Sequence, residues 1–269
     1  MEKRKIFLAN RGQDQLVFVF EPELLAYIND SFSVTENIRE ADIILVIGGD
    51  GRMLHAVQKY KQYGLPFVGL HRSKSASSFG FIMNEPDEKN LEDLGQGRIL
   101  FIESRLLMAR LHEGPHIKIV HAFNDVNFER ATTQTLRINV AVNNEMFFQP
   151  ISCDGILVST PAGSTAYNAN AGGAILPVDA NNFILTGISP KRSFLWNSTV
   201  LSGSDVVSLE ITEPKKRPAR FVADGIAQGC EFTRAEVCLS SETVKIGFAM
   251  DSDFRKKVMD LQFRGRVGR

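Results

Sequence analysis

The first part of the chain alternates short apolar runs with segments whose apolar residues recur at helical spacing. Residues 43–47 read Ile-Ile-Leu-Val-Ile, and an aliphatic run without polar alternation is typical of a strand buried on both faces of a sheet. The glycine-rich residues 48–51 interrupt this run, and residues 53–60 continue with a helical pattern that ends before Gly64. Further strands are predicted at 6–9 and 66–70, and further helices at 21–28 and 85–94. Strands separated by helices of this length predict βαβ units and a mainly parallel sheet.

After Gly97 the pattern changes to short strand-like runs with few helical stretches between them. These runs lie at 99–102, 106–111, 117–120, 126–128, 136–142, 146–148 and 244–250. We therefore predict an α/β domain over 1–97 and a β-rich domain over 98–250. Residues 251–269 are predicted to form a short amphipathic helix and a tail that packs back on the first domain.

Composition narrows the possible partners. Lysine plus arginine number 31, as do aspartate plus glutamate, so the formal net charge is zero. Without an overall basic field, nucleic acid is not an expected partner. No apolar run approaches the ~20 residues that a membrane helix requires, and residues 6–9 are too short for the apolar part of a secretory signal. We expect a cytoplasmic protein that binds no membrane.

The turn Gly48-Gly49-Asp50-Gly51 lies between a predicted buried strand and a predicted helix. Glycines allow backbone N–H groups to approach a ligand, and a helix N-terminus favours anions such as phosphate. Gly48, Gly49 and Gly51 are therefore candidate phosphate-binding residues. Asp50 is placed to accept a hydroxyl proton or to hold magnesium. An N-cap aspartate in an ordinary glycine turn explains the tetrapeptide equally well.

Two further polar segments are candidate binding sites. A predicted strand at 156–158 leads into Ser159-Thr160-Pro161-Ala162-Gly163-Ser164-Thr165-Ala166-Tyr167-Asn168. Its small and hydroxyl residues leave room for a ligand and supply hydrogen bonds, and the tyrosine ring can lie against a base or a ribose. Asn124-Asp125 places an amide beside a carboxylate that could hold a diol. A strand-to-helix turn and a simple turn are the structural alternatives for these two segments.

Together, in this order and spacing, the three segments resemble bacterial NAD kinases. The resemblance covers nearly the whole chain. It rests on Gly48-Gly49-Asp50-Gly51, Phe79-Gly80-Phe81, Asn124-Asp125, Asp154-Gly155 and, most specifically, the stretch 160–168 with its continuation to Pro177. Lipid kinases and phosphofructokinases resemble the first motif but not the stretch 160–168.

The resemblance implies an enzyme that phosphorylates the adenosine-ribose 2′-hydroxyl of NAD, with ATP or polyphosphate as donor, to make NADP. It implies a Rossmann-like N-terminal α/β domain and a β-sandwich-like, NAD-binding C-terminal domain, with the substrate between them. A divalent metal ion, Mg²⁺, is expected as cofactor, and a homodimer or homotetramer as assembly. The metal ligands stay unassigned.

The resemblance also assigns roles to individual residues. Asp50 corresponds to the proton acceptor. Asn124, Asp125 and Asp154 correspond to contacts with the ribose and nicotinamide portions of the dinucleotide. The substrate-binding residues implied in this way are Asp50, Gly51, Asn124, Asp125, Asp154, Ala162, Thr165, Ala166, Tyr167, Asn168, Ala169 and Asn170.

Several positions depart from the usual family pattern. Asp125 stands where glutamate is common, and Arg52 replaces a small hydroxyl residue. The loop 71–78 is longer than usual and lacks its glycine, so neither its role nor that of Arg52 follows from the resemblance. Val222-Ala223-Asp224-Gly225 matches a later aspartate motif, although Ile226 holds an often polar position.

Two rival functions follow from the same residues. One is a related kinase of lipids or sugars that shares only the Gly-Gly-Asp-Gly turn, and the stretch 160–168 disfavours it. The other is a catalytically silent sensor of NAD or NADP, and the retained Asp50 argues against it. Neither the choice of donor nor the choice between NAD and NADH follows from the sequence.

Overall fold

A computed structural model describes residues 3–9, 22–72, 82–191, 196–229, 232–250 and 259. The chain divides into two compact units, one formed by Met1–Ser104 with Val244–Arg269 and the other by Arg105–Thr243. Phe79-Gly80-Phe81 and most of the predicted C-terminal helix lie outside the described residues. Within the described residues, no helix combines the length and the hydropathy needed to cross a bilayer.

The first unit is an α/β structure. Its elements in chain order are β1 (Lys5–Leu8), α1 (Pro22–Ser31), β2 (Ser33–Thr35), β3 (Ile43–Gly48), α2 (Asp50–Tyr60), β4 (Phe67–His71) and α3 (Glu88–Gly95). The predicted strands at 6–9, 43–47 and 66–70 are confirmed. The helix predicted at 85–94 begins only at Glu88, because Asp87 caps it by accepting a hydrogen bond from the Asn90 N–H at 2.9 Å.

The second unit is built almost entirely from strands. The remaining elements are β5 (Ile99–Glu113), β6 (His116–Ala122), β7 (Asp125–Arg130), β8 (Leu136–Val142), β9 (Glu145–Cys153), β10 (Gly155–Ser159), α4 (Tyr167–Asn170), β11 (Asn182–Ile188), β12 (Ser198–Ser202), β13 (Val206–Ile211), β14 (Ala219–Ala223), β15 (Ile226–Gly229) and β16 (Arg234–Ala249). The two runs predicted at 99–102 and 106–111 form one continuous strand, since the intervening polar residues stay within β5. The start of β5, up to Ser104, and the end of β16, from Val244, belong to the first unit.

Parallel pairing orders the strands of the first unit as β2-β1-β3-β4, followed by the end of β16. Residues 43–47 of β3 are at most 3% exposed, which confirms a central strand covered on both faces. In α2, Met53, Ala56 and Val57 form the buried side. The carboxyl ends of β3 and β4 lie side by side, with Gly48 opposite His71.

Two sheets enclose the core of the second unit. One is antiparallel, with the order β12-β11-β10-β7-β14-β15. Alternate residues of its strands, such as Val126 and Phe128 of β7, point into the core with residues of β8 and β13 from the other sheet. The Phe128 and Phe221 rings pack edge to face at 5.1 Å. The β-sandwich-like architecture is thus confirmed, and the opposite face of β7 carries the polar residues Asp125, Asn127 and Glu129.

Asn84 ties together three backbone segments inside the first unit. Its amide donates to the carbonyls of Gly69 at 2.8 Å and Gly247 at 3.1 Å, and its carbonyl accepts from the Ala249 N–H at 2.8 Å. The residue is fully buried, so removing its side chain takes these three hydrogen bonds from buried backbone groups, although the Gly69 carbonyl still accepts from the Asn84 N–H.

We therefore expect Asn84→Ala to lower the free energy of unfolding by about 2–5 kcal/mol, because buried polar groups that lose their partner cost about 1–3 kcal/mol each. Urea denaturation followed by circular dichroism measures this loss. The exposed Gln62→Ala is the control and is expected to stay within about 0.5 kcal/mol of the parent. An equally stable Asn84→Ala protein would contradict the assigned hydrogen bonds.

Candidate active site

The glycine turn joins β3 to α2, and the Arg52 side chain lies close to Gly48 in this turn. Gly48 has φ +158°, and a Cβ there would lie 2.6 Å from Cδ of Arg52. Gly49 is the N-cap of α2 and has no side chain with which to cap it, while its carbonyl accepts from the Arg52 N–H at 2.9 Å. A Cβ on Gly51 would meet nothing within 4 Å. The start of α2 therefore combines the positive end of a helix dipole with room for an anion.

Asp50 is the first residue of α2 and not its N-cap, so the simple cap predicted as an alternative is not the arrangement found. Its Oδ1 lies 3.5 Å from the backbone N of Ile82, which donates to it. This carboxylate belongs to the glycine turn itself, between Gly49 and Gly51. Phosphates and a proton-accepting group can thus be placed at one end of one helix.

In the second unit, the residues that follow β10 form hydrogen bonds with the residues that precede β7. Ser159 lies opposite Asp125 in the antiparallel pair. The Thr160 N–H donates to the carbonyl of Asn124 at 2.9 Å, and the Thr160 hydroxyl donates to the carbonyl of Phe123 at 2.6 Å. Gly163 packs so closely on the Asn124 carbonyl that a Cβ would overlap it. Two segments that are distant in the sequence therefore form one local structure.

Asp224 also forms hydrogen bonds with this backbone segment. Its carboxylate accepts from the backbone N–H groups of Phe123 at 2.8 Å, Asn124 at 2.7 Å and Asp125 at 3.2 Å. In return, the Asp224 N–H donates to the carbonyl of Asp125 at 2.9 Å. Asp224 has φ +49° and is 6% exposed. The motif at 222–225 pointed to this residue, but the sequence did not reveal that it positions Asn124 and Asp125.

The environment of Asp125 opposes its ionisation. Burial, then the negative charge of Asp224 and that of Glu129, raises the pKa of Asp125 to about 7, while a hydrogen bond from Asn127 acts in the opposite direction. Asp125 is 6% exposed. A carboxyl group with this pKa exchanges its proton near neutral pH, where bound groups that donate hydrogen bonds favour the ionised form.

Asp154 and Tyr167 lie at the margin of this polar face. Asp154 Oδ1 pairs with Nε of Arg130 at 2.9 Å, and Glu129 pairs with Arg220 at 2.8 Å. Tyr167 is 36% exposed. Burial, followed by the charges of Glu129, Asp125 and Asp154, raises its pKa. The same electrostatic neighbourhood therefore includes Tyr167 and three carboxylates.

The residues of the stretch 162–170 differ in their availability to a ligand. Ala162 is buried, Thr165, Ala166 and Ala169 are partly exposed, and Asn170 is exposed. Asn168 is fully buried, and its amide donates to the carbonyls of Ser164 at 3.0 Å and Ala174 at 2.7 Å. Its Oδ1 accepts from the Thr186 hydroxyl at 2.6 Å. Asn168 thus anchors the stretch to β11, a role that its sequence motif did not reveal.

The structure brings the predicted site residues together within each unit. Gly48, Gly49, Asp50 and Gly51 form one turn in the first unit. Asn124, Asp125 and the stretch 160–170 form one surface in the second, with Asp154 and Tyr167 in the same electrostatic neighbourhood. Cys153 is 1% exposed, and burial raises its pKa to about 12, as expected of a small core residue.

Comparisons with known proteins show which family this chain is similar to. Residues 123–244 match the family model described as the ATP-NAD kinase C-terminal domain. The NAD kinase of Rickettsia felis is 34% identical over 230 residues, which are 85% of this chain and 88% of that protein. The NAD kinase of Brucella suis is 34% identical over 228 residues, 84% of this chain and 86% of that protein.

Solved structures show the same fold. Yeast NADH kinase, complexed with NADH, superposes with a TM-score of 0.78 at 16% identity and covers 100% of this chain and 90% of its own. An NAD kinase from Archaeoglobus fulgidus, in complex with ATP, has a TM-score of 0.70 at 20% identity, with 96% of this chain and 99% of its own covered.

Fold and site thus define a nucleotide kinase of the Gly-Gly-Asp-Gly class, with an α/β unit and a β-sandwich unit. The sequence relatives narrow that class, and the chain belongs to the NAD kinase family.

The raised pKa of Asp125 predicts a characteristic dependence of stability on pH. Its pKa in the unfolded chain is about 3.9, so between about pH 4 and pH 7 the folded protein binds more protons at this site than the unfolded one. The contribution of Asp125 to the free energy of unfolding therefore falls as pH rises through this window.

Asp125→Asn keeps the shape of the side chain but removes the titration. We expect the variant to gain stability relative to the parent as pH rises from about 4 to 8, by at most about 4 kcal/mol. Thermal or urea unfolding at several pH values measures the difference. The exposed variant Asp30→Asn is the control, and parallel pH curves for Asp125→Asn and its parent would disprove the raised pKa.

Proposed function

We propose that this chain transfers the terminal phosphate of ATP to the 2′-hydroxyl of the adenosine ribose of NAD, forming NADP and ADP. The observation that carries the proposal is Asp50, a carboxylate retained at the start of α2 within a glycine turn, in a chain that belongs to the NAD kinase family. Polyphosphate is the alternative donor.

The first unit supplies the parts that phosphoryl transfer needs. The helix start at Gly49–Gly51 would hold phosphate oxygens, and Asp50 would accept the proton of the 2′-hydroxyl. The hydroxyl oxygen then forms its bond to the γ-phosphorus as the bond from phosphorus to ADP breaks, and the electron pair leaves with ADP. Positioning and charge neutralisation account for most of such a reaction.

The polar face of the second unit would recognise the dinucleotide. Asp125 is held by Asp224 and by the stretch that follows β10, so its carboxylate has a fixed place at which to accept hydrogen bonds from ribose hydroxyls. Asn124 is fixed by the same contacts. Tyr167, near Asp125, would lie against a ring of the substrate.

Asp50 also suits a magnesium ion. Mg²⁺ is commonly held by one or two carboxylates together with substrate phosphates, and the described residues contain no cluster of three or more metal-ligating side chains. We therefore propose that Asp50 and the donor phosphates hold it. When bound, the ion neutralises charge on the phosphates. A cytoplasmic location and a homo-oligomeric state stay predictions from the sequence.

NADP formation by the purified protein is the direct test. The protein is incubated with NAD and magnesium, and either ATP or tripolyphosphate is added as donor. Formation of NADP with either donor supports the proposal and identifies the donor. A protein that binds NAD but forms no NADP would instead be the silent sensor.

Asp50→Asn removes the proposed proton acceptor while keeping the size of the side chain. We expect kcat to fall by roughly 10²–10⁴, the usual contribution of a positioned general base. The melting temperature should change little, because the N-cap of α2 is Gly49. Steady-state kinetics and thermal unfolding measure the two quantities, and Asp42→Asn is the matched control. Most of the parent activity in Asp50→Asn would exclude the proposed role.

Asp125 should make NAD binding depend on pH. Since its pKa is about 7, the ionised form that accepts hydrogen bonds increases as pH rises past neutrality. We expect KM for NAD to decrease from about pH 6 to pH 8 while KM for ATP stays nearly constant. In Asp125→Ala, KM for NAD should rise by about tenfold or more, as for a lost charge-assisted hydrogen bond, and the pH dependence should disappear. Equal effects on both substrates would indicate a purely structural residue.

A further inference from the structure

His71 is a buried imidazole that the proposed mechanism does not use. It ends β4 and has no exposed surface. Within the described part of the chain, neither of its ring nitrogens has a hydrogen-bond partner. Oε1 of Glu85 lies 3.7 Å from Nε2 of the ring, which is too far for a good hydrogen bond. A buried ring with two unpaired polar atoms is unfavourable unless something else pairs with it.

The backbone shows which way the ring points. Gly69 lies two residues earlier in β4, so its substituent and the His71 side chain share one face of the sheet. A Cβ on Gly69 would touch Met53 of α2 and Met83. Gly48 is the register partner of His71, and a Cβ there would meet the Arg52 side chain. The His71 ring therefore lies on the face covered by α2, beside the first turn of that helix.

The same short segment fixes both His71 and Asp50. The His71 N–H donates to the carbonyl of Asn84, and the Asn84 N–H donates to that of Gly69, each at 2.9 Å. Two residues before Asn84, the Ile82 N–H donates to Asp50 Oδ1. The imidazole, the carboxylate and the helix start thus belong to one rigid arrangement within the first unit.

We propose that His71 is a phosphate-binding residue, whose ring N–H donates to a phosphate oxygen of the donor held at the start of α2. Glu85 after β4 lies close to the ring, Arg52 of α2 covers its register partner Gly48, and Asp50 is the first residue of the same helix. Arg52 adds a positive charge on the same face, and the Glu85 carboxylate lies 3.7 Å from Nε2 of the ring. The proposal rests on the proposed function only in placing the donor phosphates at the glycine turn.

His71→Gln tests this role, because glutamine keeps a donor but places it differently, and His71→Leu removes every donor. We expect KM for ATP, and Kd for ATP measured without NAD, to rise about tenfold in His71→Gln and further in His71→Leu. KM for NAD should stay within about twofold of the parent. His55→Gln, on the exposed side of α2, is the control and should leave all three constants unchanged.

The opposite pattern would overturn the proposal. If Kd for ATP is unchanged in both variants, or if KM for NAD rises instead, His71 does not bind the donor. Lower melting temperatures with unaltered constants would show that it only packs against Glu85. Kd for ATP can be measured even if the protein forms no NADP, so failure of the proposed function and failure of this inference are distinguishable.

Nuclear magnetic resonance of the parent protein tests the proposal even if the His71 variants do not fold. The chain has five histidines, and substitution of each of the other four by glutamine assigns the ring nitrogens of His71 by elimination. ATP should shift these nitrogen resonances, and tripolyphosphate should do the same. Ring resonances that stay constant up to saturation with ATP would falsify the proposal.

Discussion

Three consecutive backbone N–H groups at the start of β7 donate to one buried carboxylate, that of Asp224. Buried N–H groups must find partners, and at this position the sheet does not supply them. The Asp224 N–H in turn donates to the carbonyl of Asp125 at 2.9 Å. The candidate dinucleotide surface therefore depends on a charge that lies about a hundred residues further along the chain. Burial is the main cause of the raised pKa of Asp125, and the Asp224 carboxylate raises it further, so Asp224 contributes to both the position and the electrostatics of Asp125.

The departures from the family pattern gain a physical meaning in this setting. Asp125 is one methylene shorter than glutamate, and it is the register partner of Ser159. Its backbone N–H donates to Asp224, and the Thr160 hydroxyl donates to the carbonyl of the nearby Phe123. Arg52 lies across Gly48, and burial lowers the pKa of its guanidinium. The position after the glycine turn therefore brings a long cationic side chain onto the face where the His71 ring also lies.

Much of the fold followed from hydrophobic pattern alone. The aliphatic run at 43–47, the glycine interruption and the helical spacing after it are local signals, and β3 and α2 form where they predict. The three-residue strand β2 was missed because it is short and partly exposed. The strand β5 was divided into two runs because Glu103 to Arg105 interrupt its apolar pattern, and yet pairing partners keep these residues in the strand. Strand continuity is decided by neighbouring strands, which the local pattern does not contain.

The sequence by itself determined the family and the two kinds of unit, because glycine turns, buried strands and the stretch 160–168 are recognisable as local patterns. From the same patterns it predicted the residues at which phosphate and dinucleotide would bind. Only the tertiary structure decided which of these side chains are available. Asn168, an apparent ligand contact, uses its side-chain amide and carbonyl within the protein, whereas the ring nitrogens of His71, an unremarked strand end, have no hydrogen-bond partner among the described residues. The physical reason is that hydrogen-bond pairing and burial depend on partners distant in the sequence, and these partners meet only when the chain has folded.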